Sequence, residues 1–412
     1  MKTEKKSTSN GAPSILGISL DSNLPLGTGA RLGDSARRVM ALASVCNEYH
    51  IVMRTLGTEH QREISLDEKC HIYPTNSRNR ISFMRDAVRV GAEVLDANPI
   101  DVIYTQDPFS SAVAGYMLKR KFNKPLVISF AGDMIDNPYW IGESPRNMVM
   151  NSVGKWLIKK ADAFRVCSTY ERAKLIDMGV PPERVFVVGW ISDFTPFEQA
   201  DGTQLREQLL ADGFDRLLLF VGRLAKQKNI PNLLKSMEIV SKKYSSALLL
   251  VIGEGEELAH AKELVRKLGI EKQVVFMGAV DHDKLPVYFS ASDVFVLPSY
   301  YEGNAIVVME AAAAKIPSVS AGVSGASDTI VDGLTGYIVE NDNPVPLAER
   351  IMDILEDPTR AREMGNCAHR YVTAKYKEEN IIDAFRNMFT QIRGFNGTNK
   401  RNTDSVLLQS AR

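Results

Sequence analysis

Short apolar runs, each bounded by polar turns and separated from the next by a segment of helical pattern, recur along most of this chain. In the first half they are SILGISL at 14–20, HIVMRT at 50–55, DVIYTQ at 101–106, PLVISF at 125–130, FRVCS at 164–168 and VFVVG at 185–189. Helices fit at SARRVMALASVC after Asp34, a suitable N-cap, and near 80–96, 109–122, 146–160 and 169–178. A stretch rich in Pro and Gly, SDFTPFEQADGTQLREQLLADGFD at 192–215, interrupts the rhythm. It then restarts with LLLFVG at 217–222, ALLLVIG at 247–253, VVFMG at 274–278, VFVLP at 294–298, SVSAG at 318–322 and GYIVE at 336–340. The intervening helices fit near 229–243, 256–268, 282–290, 304–314 and 345–356, and two more follow near 358–374 and 376–392. Strands that are apolar on both faces and joined through helices predict parallel sheets covered on both sides. The expected fold is therefore α/β, with two Rossmann-like parallel-sheet domains facing a central cleft at the carboxyl ends of their strands.

Composition removes several function classes. Lys plus Arg and Asp plus Glu number 50 each in 412 residues, so there is no basic excess of the kind nucleic acid requires. Cys46, Cys70, Cys167 and Cys367 are far apart and form no C-x-x-C, which argues against a zinc site or a disulfide framework and fits a reducing compartment. The start, MKTEKKSTSNGAPS, lacks the apolar segment of a signal peptide, and no run of eighteen apolar residues occurs. A cytoplasmic location is expected. The segment 147–160, NMVMNSVGKWLIKK, is read as a core-packed helix with solvated lysines, with an interfacial membrane helix at the inner face of the membrane as the alternative.

The chemistry concentrates in PSYYEGNAIVVMEAAAAKIPSVSAGVSGASDT at 298–329. An apolar run ends in the polar turn 299–304, and an Ala-rich helix follows. Free N–H groups and the dipole make the helix start at Gly303, Asn304 and Ala305 an anion site. Glu302 and Glu310 bracket it, and an ionised carboxylate can accept from two hydroxyls at once. The stretch suits a ligand both phosphorylated and polyhydroxylated.

A second cluster, VGRLAKQKN at 221–229, places Arg223, Lys226 and Lys228 at the carboxyl edge of the first strand of the second unit. Open α/β sheets bind ligands there, and Arg223 offers a fork for phosphate oxygens while Lys228 offers a point charge. Gly253, Glu254 and Gly255 form another strand-to-helix turn, read equally as turn geometry or as a nucleotide contact. GTGARLG at 27–33 has the spacing G-x-G-x-x-x-G, and the second strand candidate ends in Arg54 rather than an acid, so a dinucleotide fingerprint fails; a phosphate-facing loop that includes Gly29 is preferred. Asp281-His282-Asp283 looks like a metal-holding pair of aspartates, but before KLPVYFSAS it is read as helix capping. No histidine has a serine or cysteine partner at a recognisable elbow, which disfavours a Ser-His-Asp hydrolase.

In order and spacing these elements resemble the retaining nucleotide-sugar glycosyltransferases of family 4, of the GT-B fold. VGRLAKQKNIPNLLKS, VIGEGEE, VVFMGAV, SASDVFVLPS, the pair Glu302 and Glu310 as the Glu-x7-Glu element, and DGLTGYIVE carry the likeness. The N-terminal half matches more loosely, through LPLGTGARLGDSARRVMALA and KKADAFRVCSTYERAKLIDMGVPPERVFVVG. Three departures stand out. Ala131 occupies the place of a frequent His, GWISD at 189–193 replaces Asn-Gly-Val-Asp, and GVSGASD at 322–328 replaces Gly-Gly-x-Pro-Glu.

The resemblance implies sugar transfer from a UDP- or GDP-linked donor to the hydroxyl of a saccharide or lipid-linked acceptor, with retention and with no metal or other cofactor. Arg223 and Lys228 would meet the leaving-group charge, Glu302 the transferred sugar and Glu310 the ribose hydroxyls. Gly253, Glu254, Met277 and Val280 would contact the base, and Asp133 or Asp107 would face them from the opposite wall, with Asp133 grouped among the catalytic residues. A catalytically decayed nucleotide-sugar-binding protein and a sugar-nucleotide epimerase are the alternatives. The implied organisation is a disordered tail at 1–12, an acceptor-side domain at 13–195, a linker at 196–214, a donor domain at 215–374, a return helix at 375–393 packing on the first domain, and a flexible tail at 394–412.

Overall fold

The computed structural model describes residues 11–20, 34–57, 63–211 and 213–409. The first sheet contains β1 (Ile15–Ser19), β2 (Tyr49–Met53), β3 (Ile64–Ser65), β4 (Cys70–Pro74), β5 (Val102–Thr105), β6 (Leu126–Ser129), β7 (Ala163–Val166) and β8 (Val185–Val187), in the order β3-β4-β2-β1-β5-β6-β7-β8. The second contains β9 (Arg216–Val221), β10 (Ala247–Ile252), β11 (Val274–Gly278), β12 (Val294–Leu297), β13 (Ser318–Ala321) and β14 (Gly336–Val339), in the order β11-β10-β9-β12-β13-β14. Every neighbouring pair is parallel except β3 with β4. Successive strand residues feed opposite cores, as doubly covered sheets require. Ile15, Ile51 and Val102 join the core that continues into the second unit. Leu16, Val52 and Ile103 join the core on the other face.

The edge pair β3 and β4 has no counterpart among the expected strands. Its run is polar (ISLDEKCHIYP), because an edge strand needs only one covered side, and the two-residue β3 blunts the sheet margin. The stretch expected as a linker is largely helical, with short helices at Thr195–Gln199 and Thr203–Leu210. Pro196 sits in the first turn, where a missing N–H is harmless, so it starts a helix instead of breaking one. The segment docks on the second unit. A β-carbon on Gly202 would overlap the Ala291 backbone, and the Gly202 N–H donates to Ser290 Oγ at 3.1 Å.

The last helix, Glu378–Gln409, runs beyond 393, where a flexible tail was expected. No proline interrupts it, and each added residue extends the ladder by one bond. Phe385, Met388, Phe389 and Ile392 are buried, and Tyr104 of β5 meets Phe389 edge-on at 5.8 Å, so this helix returns to the first sheet. The expected tail at 1–12 lies outside the described residues up to residue 10.

Candidate functional site

In the second sheet the chain leaves β9 toward β10 and β11, then crosses back to lay β12 on the other side of β9. The loops after β9 and β12 therefore diverge from adjacent strand ends and leave a crevice, the usual ligand position in an open α/β sheet. Arg223 and Lys228 lie on the first loop, and Glu302, Gly303, Asn304 and Ala305 on the second. Gln227 ties the loops together: its Nε2 donates to the Tyr301 carbonyl, and its own carbonyl accepts from the Tyr300 N–H, both at 2.8 Å.

Within that frame Lys228 Nζ donates to Glu302 Oε1 at 2.5 Å, with both side chains largely buried. Arg223 is exposed. The helix Ile306–Ala313 starts behind the loop, after Ala305 in the left-handed region at φ 44°. Glu310, on that helix, is 4% exposed; its Oε1 accepts from His282 Nε2 at 2.7 Å, and its Oε2 is buried with no partner. Asn304 Nδ2 is a second buried polar atom without a partner. Lys228 and Glu302 thus pair at the crevice, and Asn304 in the same loop and Glu310 on the helix that follows it each keep a buried polar atom without a partner, an arrangement that suits an anionic, hydroxyl-bearing ligand.

The turn of Gly253 and Gly255 owes its glycines to backbone approach: β-carbons there would overlap the carbonyls of Gly222 and Leu224, and φ is 131° and 157°. Glu254 is exposed, and its carbonyl accepts from the Leu224 N–H at 2.8 Å. Met277 and Val280, at the end of β11, are partly buried against the core. Gly29 lies outside the described residues.

The first unit closes over this edge. Gly303 packs on Ala131 and Gly132, and the Asp133 N–H donates to the Glu302 carbonyl at 3.3 Å. Asp328 spans the halves, taking the Thr169 N–H at 2.5 Å and the Thr169 Oγ1 at 2.6 Å. Tyr139 stacks on Tyr300 at 4.3 Å, and Tyr301 donates to Glu143 at 2.7 Å. Burial, then that bond to Glu143, pushes the Tyr301 hydroxyl far above its ordinary pKa.

Two acids on the opposite wall serve the scaffold. Both Asp133 oxygens are engaged, with Lys174 Nζ at 2.6 Å and Asn137 Nδ2 at 2.9 Å, so its backbone rather than its carboxylate faces the crevice. Asp107 accepts from the Phe109 N–H at 2.7 Å and Ser111 Oγ at 2.5 Å ahead of the helix Ser110–Phe122, and burial raises its pKa. Burial likewise pushes Glu171 up to about 7. Ala131 lines a pocket of about 200 Å³ with Arg38, Tyr104, Gln106 and Trp190.

The capping expected of Asp281-His282-Asp283 is not what these residues do. Asp281 makes no side-chain cap bond and pairs with Lys284 at 3.0 Å, while His282 reaches Glu310. The reason is spatial: the turn before helix Leu285–Ala291 faces helix Ile306–Ala313, which local sequence does not reveal. Sequence reasoning also missed Ser324, whose Oγ donates to the Glu302 carbonyl at 2.5 Å. The only local signal was the small-residue run SGAS that lets Gly325 pack against Gly303.

Comparison with known proteins joins the two halves. The family model described as Glycosyltransferase Family 4 matches residues 39–189, and that described as Glycosyl transferases group 1 matches residues 201–371. The chain is a glycosyltransferase of the GT-B type. An uncharacterized glycosyltransferase of Methanocaldococcus jannaschii is 27% identical over 319 residues, covering 74% of this chain and 79% of that protein. Among solved structures, sucrose-phosphate synthase from Thermosynechococcus elongatus superposes with a TM-score of 0.78 at 22% identity, covering 92% of this glycosyltransferase and 99% of that chain. HepE from Anabaena, solved with UDP-glucose, gives 0.71 at 17% identity, covering 92% and 100%. At such identities these structures establish the shared fold. The crevice between β9 and β12 is thus the switch point of the second GT-B domain.

Proposed function

We propose that this glycosyltransferase moves a sugar from a nucleoside diphosphate sugar, UDP- or GDP-linked, to an acceptor hydroxyl with retention of anomeric configuration. The observation that carries the proposal is the Lys228–Glu302 pair at the second sheet's switch point, with the unmet Glu310 oxygen on the helix that leaves the same loop. The UDP-glucose held by HepE, which shares the fold, supports a donor of this class.

As the glycosidic bond breaks, negative charge grows on the departing diphosphate. Arg223, Lys228 and the N–H groups at the start of helix Ile306–Ala313 meet it, and preorganised donors of this kind contribute ~2.7–4 kcal/mol each. That supply removes the need for a metal ion. Glu302 hydrogen-bonds the transferred sugar and positions Lys228, while Glu310 accepts from the ribose hydroxyls. The acceptor, a saccharide or lipid-linked hydroxyl, enters beside Ala131. The departing phosphate oxygen takes its proton, so no enzymic base is required and the engaged Asp133 is consistent with the reaction.

Thermal-shift measurement against nucleoside diphosphates and their sugars tests the donor class. A true donor at a hundred times its dissociation constant stabilises by ~2.7 kcal/mol. The shift should survive EDTA, and the absence of a shift with every nucleotide would remove the proposal.

Contact with a membrane surface belongs to the same proposal. Among the described residues no helix is long and apolar enough to cross a membrane. Helix Pro145–Ile158 buries Gly154, Leu157 and Ile158 and turns outward Met148 and Val149, each 59% exposed, and Trp156 at 46%. Lys155, Lys159 and Lys160 flank them, a mixture that suits the inner, anionic face of a bilayer. Co-sedimentation with anionic vesicles should weaken in high salt and on changing Lys159 and Lys160 to Glu. Salt-insensitive or absent binding contradicts it.

A further inference from the structure

We infer that His282 is a positioning residue for the donor pocket: it fixes the Glu310 carboxylate through one oxygen so that the other is presented to ligand hydroxyls. The inference rests on the proposed reading of Glu310 as the ribose carboxylate. Three observations carry it. A carboxylate can only accept, so the 2.7 Å approach of His282 Nε2 to Glu310 Oε1 places the hydrogen on the imidazole. Glu310 Oε2, on a residue 4% exposed, has no partner, and a buried acceptor left unmet is unfavourable until a donor arrives. The imidazole is itself braced: Phe197 meets it edge-on at 5.8 Å, and Phe197 is 2% exposed and packed edge-on against Phe289 at 5.4 Å.

His282, half exposed on a turn, is therefore held between the connecting helix Thr195–Gln199 and the carboxylate. With Oε1 committed, rotation of the carboxylate is suppressed and Oε2 faces the ligand in one geometry. Pre-organisation of this kind appears in affinity, because the ordering is complete before the ligand binds. The effect belongs to donor binding and not to the chemical step.

The test uses the full chain and calorimetric titration with ADP, CDP, GDP and UDP; the tightest binder is then compared with its 2′-deoxy and 3′-deoxy forms. His282→Ala should weaken the ribonucleotide about tenfold, which is ~1.4 kcal/mol. His282→Gln, whose Nε2–H reaches the same place, should restore most of it. The His282→Ala penalty should vanish on the deoxynucleotide that lacks the hydroxyl served by Oε2. Turnover at saturating donor should stay near that of the parent, while the melting temperature should fall in His282→Ala, which leaves both oxygens of the buried Glu310 unmet, and recover in His282→Gln. Equal losses in the Ala and Gln variants, a penalty that persists on both deoxynucleotides, or no loss at all would overturn the inference. Ribose discrimination that survives His282→Ala removes this inference alone. A parent protein that binds ribo- and deoxynucleotides alike, or binds no nucleoside diphosphate, removes the reading of Glu310 as well.

Discussion

Lys228→Ala is expected to lower turnover about a hundredfold or more, the loss that follows from removing one preorganised donor to developing charge. Arg223→Ala should lower it comparably, but the two variants part company in stability. Arg223 is exposed, and its removal leaves no buried group unmet among the described residues. Lys228 is paired at 2.5 Å with Glu302, itself 8% exposed, so its loss strands a carboxylate; breaking such a pair from one side costs ~3–5 kcal/mol. Lys228→Ala should therefore also lower the melting temperature, and adding Glu302→Gln should recover the temperature without recovering turnover. Steady-state kinetics beside thermal melts separate the two roles. Near-normal turnover in both single variants would remove charge stabilisation by these cations.

Gly303→Ala should be nearly as damaging, for a steric reason. A β-carbon there would overlap the Ala131 carbonyl oxygen and stand 2.7 Å from its carbon and 3.0 Å from Gly132 Cα. The obstacle is backbone on both sides, so the loop carrying Glu302 must move away from the first domain. Displacements of about 1 Å at a reacting centre cost on the order of a hundredfold in rate. Gly142→Ala, at the end of the short helix Pro138–Gly142 with nothing within 4 Å of its β-carbon, serves as the control and should leave activity unchanged. Equal activity in the two variants would show that the close approach at Gly303 is not needed.

The architecture was legible because its strands are covered twice. Runs such as ALLLVIG carry apolar residues at every position, a signal that survives without tertiary information. The run CHIYP, next to the two-residue edge strand β3, and the connector TPFEQ carried no such signal, since each mixes buried with half-exposed or exposed residues and the connector has in its first turn a proline that looks like a break. The residues of the proposed donor site carry a sequence signal of a related kind. Arg223, Lys228 and Glu302 each sit a few residues past a strand end, where open α/β sheets bind ligands, and Glu310 lies in the helix that the second of these loops feeds. Which loops face each other is a different matter. Lys228 and Glu302 are 74 residues apart, His282 and Glu310 are 28 apart, and Thr169 and Asp328 are 159 apart. Their pairing follows from the order β11-β10-β9-β12-β13-β14 and from closure of the first domain, and no local spacing encodes either. Asp133 and His282 exchanged roles on this account: the acid is spent on Lys174 and Asn137, and the residue read as a helix cap reaches the site.

The most direct test of sugar transfer with retention needs no knowledge of the natural acceptor. Time-resolved proton NMR should follow an α-linked nucleoside diphosphate sugar that the thermal screen selects, incubated with the full chain so that water serves as acceptor. Release of the α-configured sugar ahead of mutarotation, abolished in Lys228→Ala, is the predicted result. First-formed β-sugar would contradict the account.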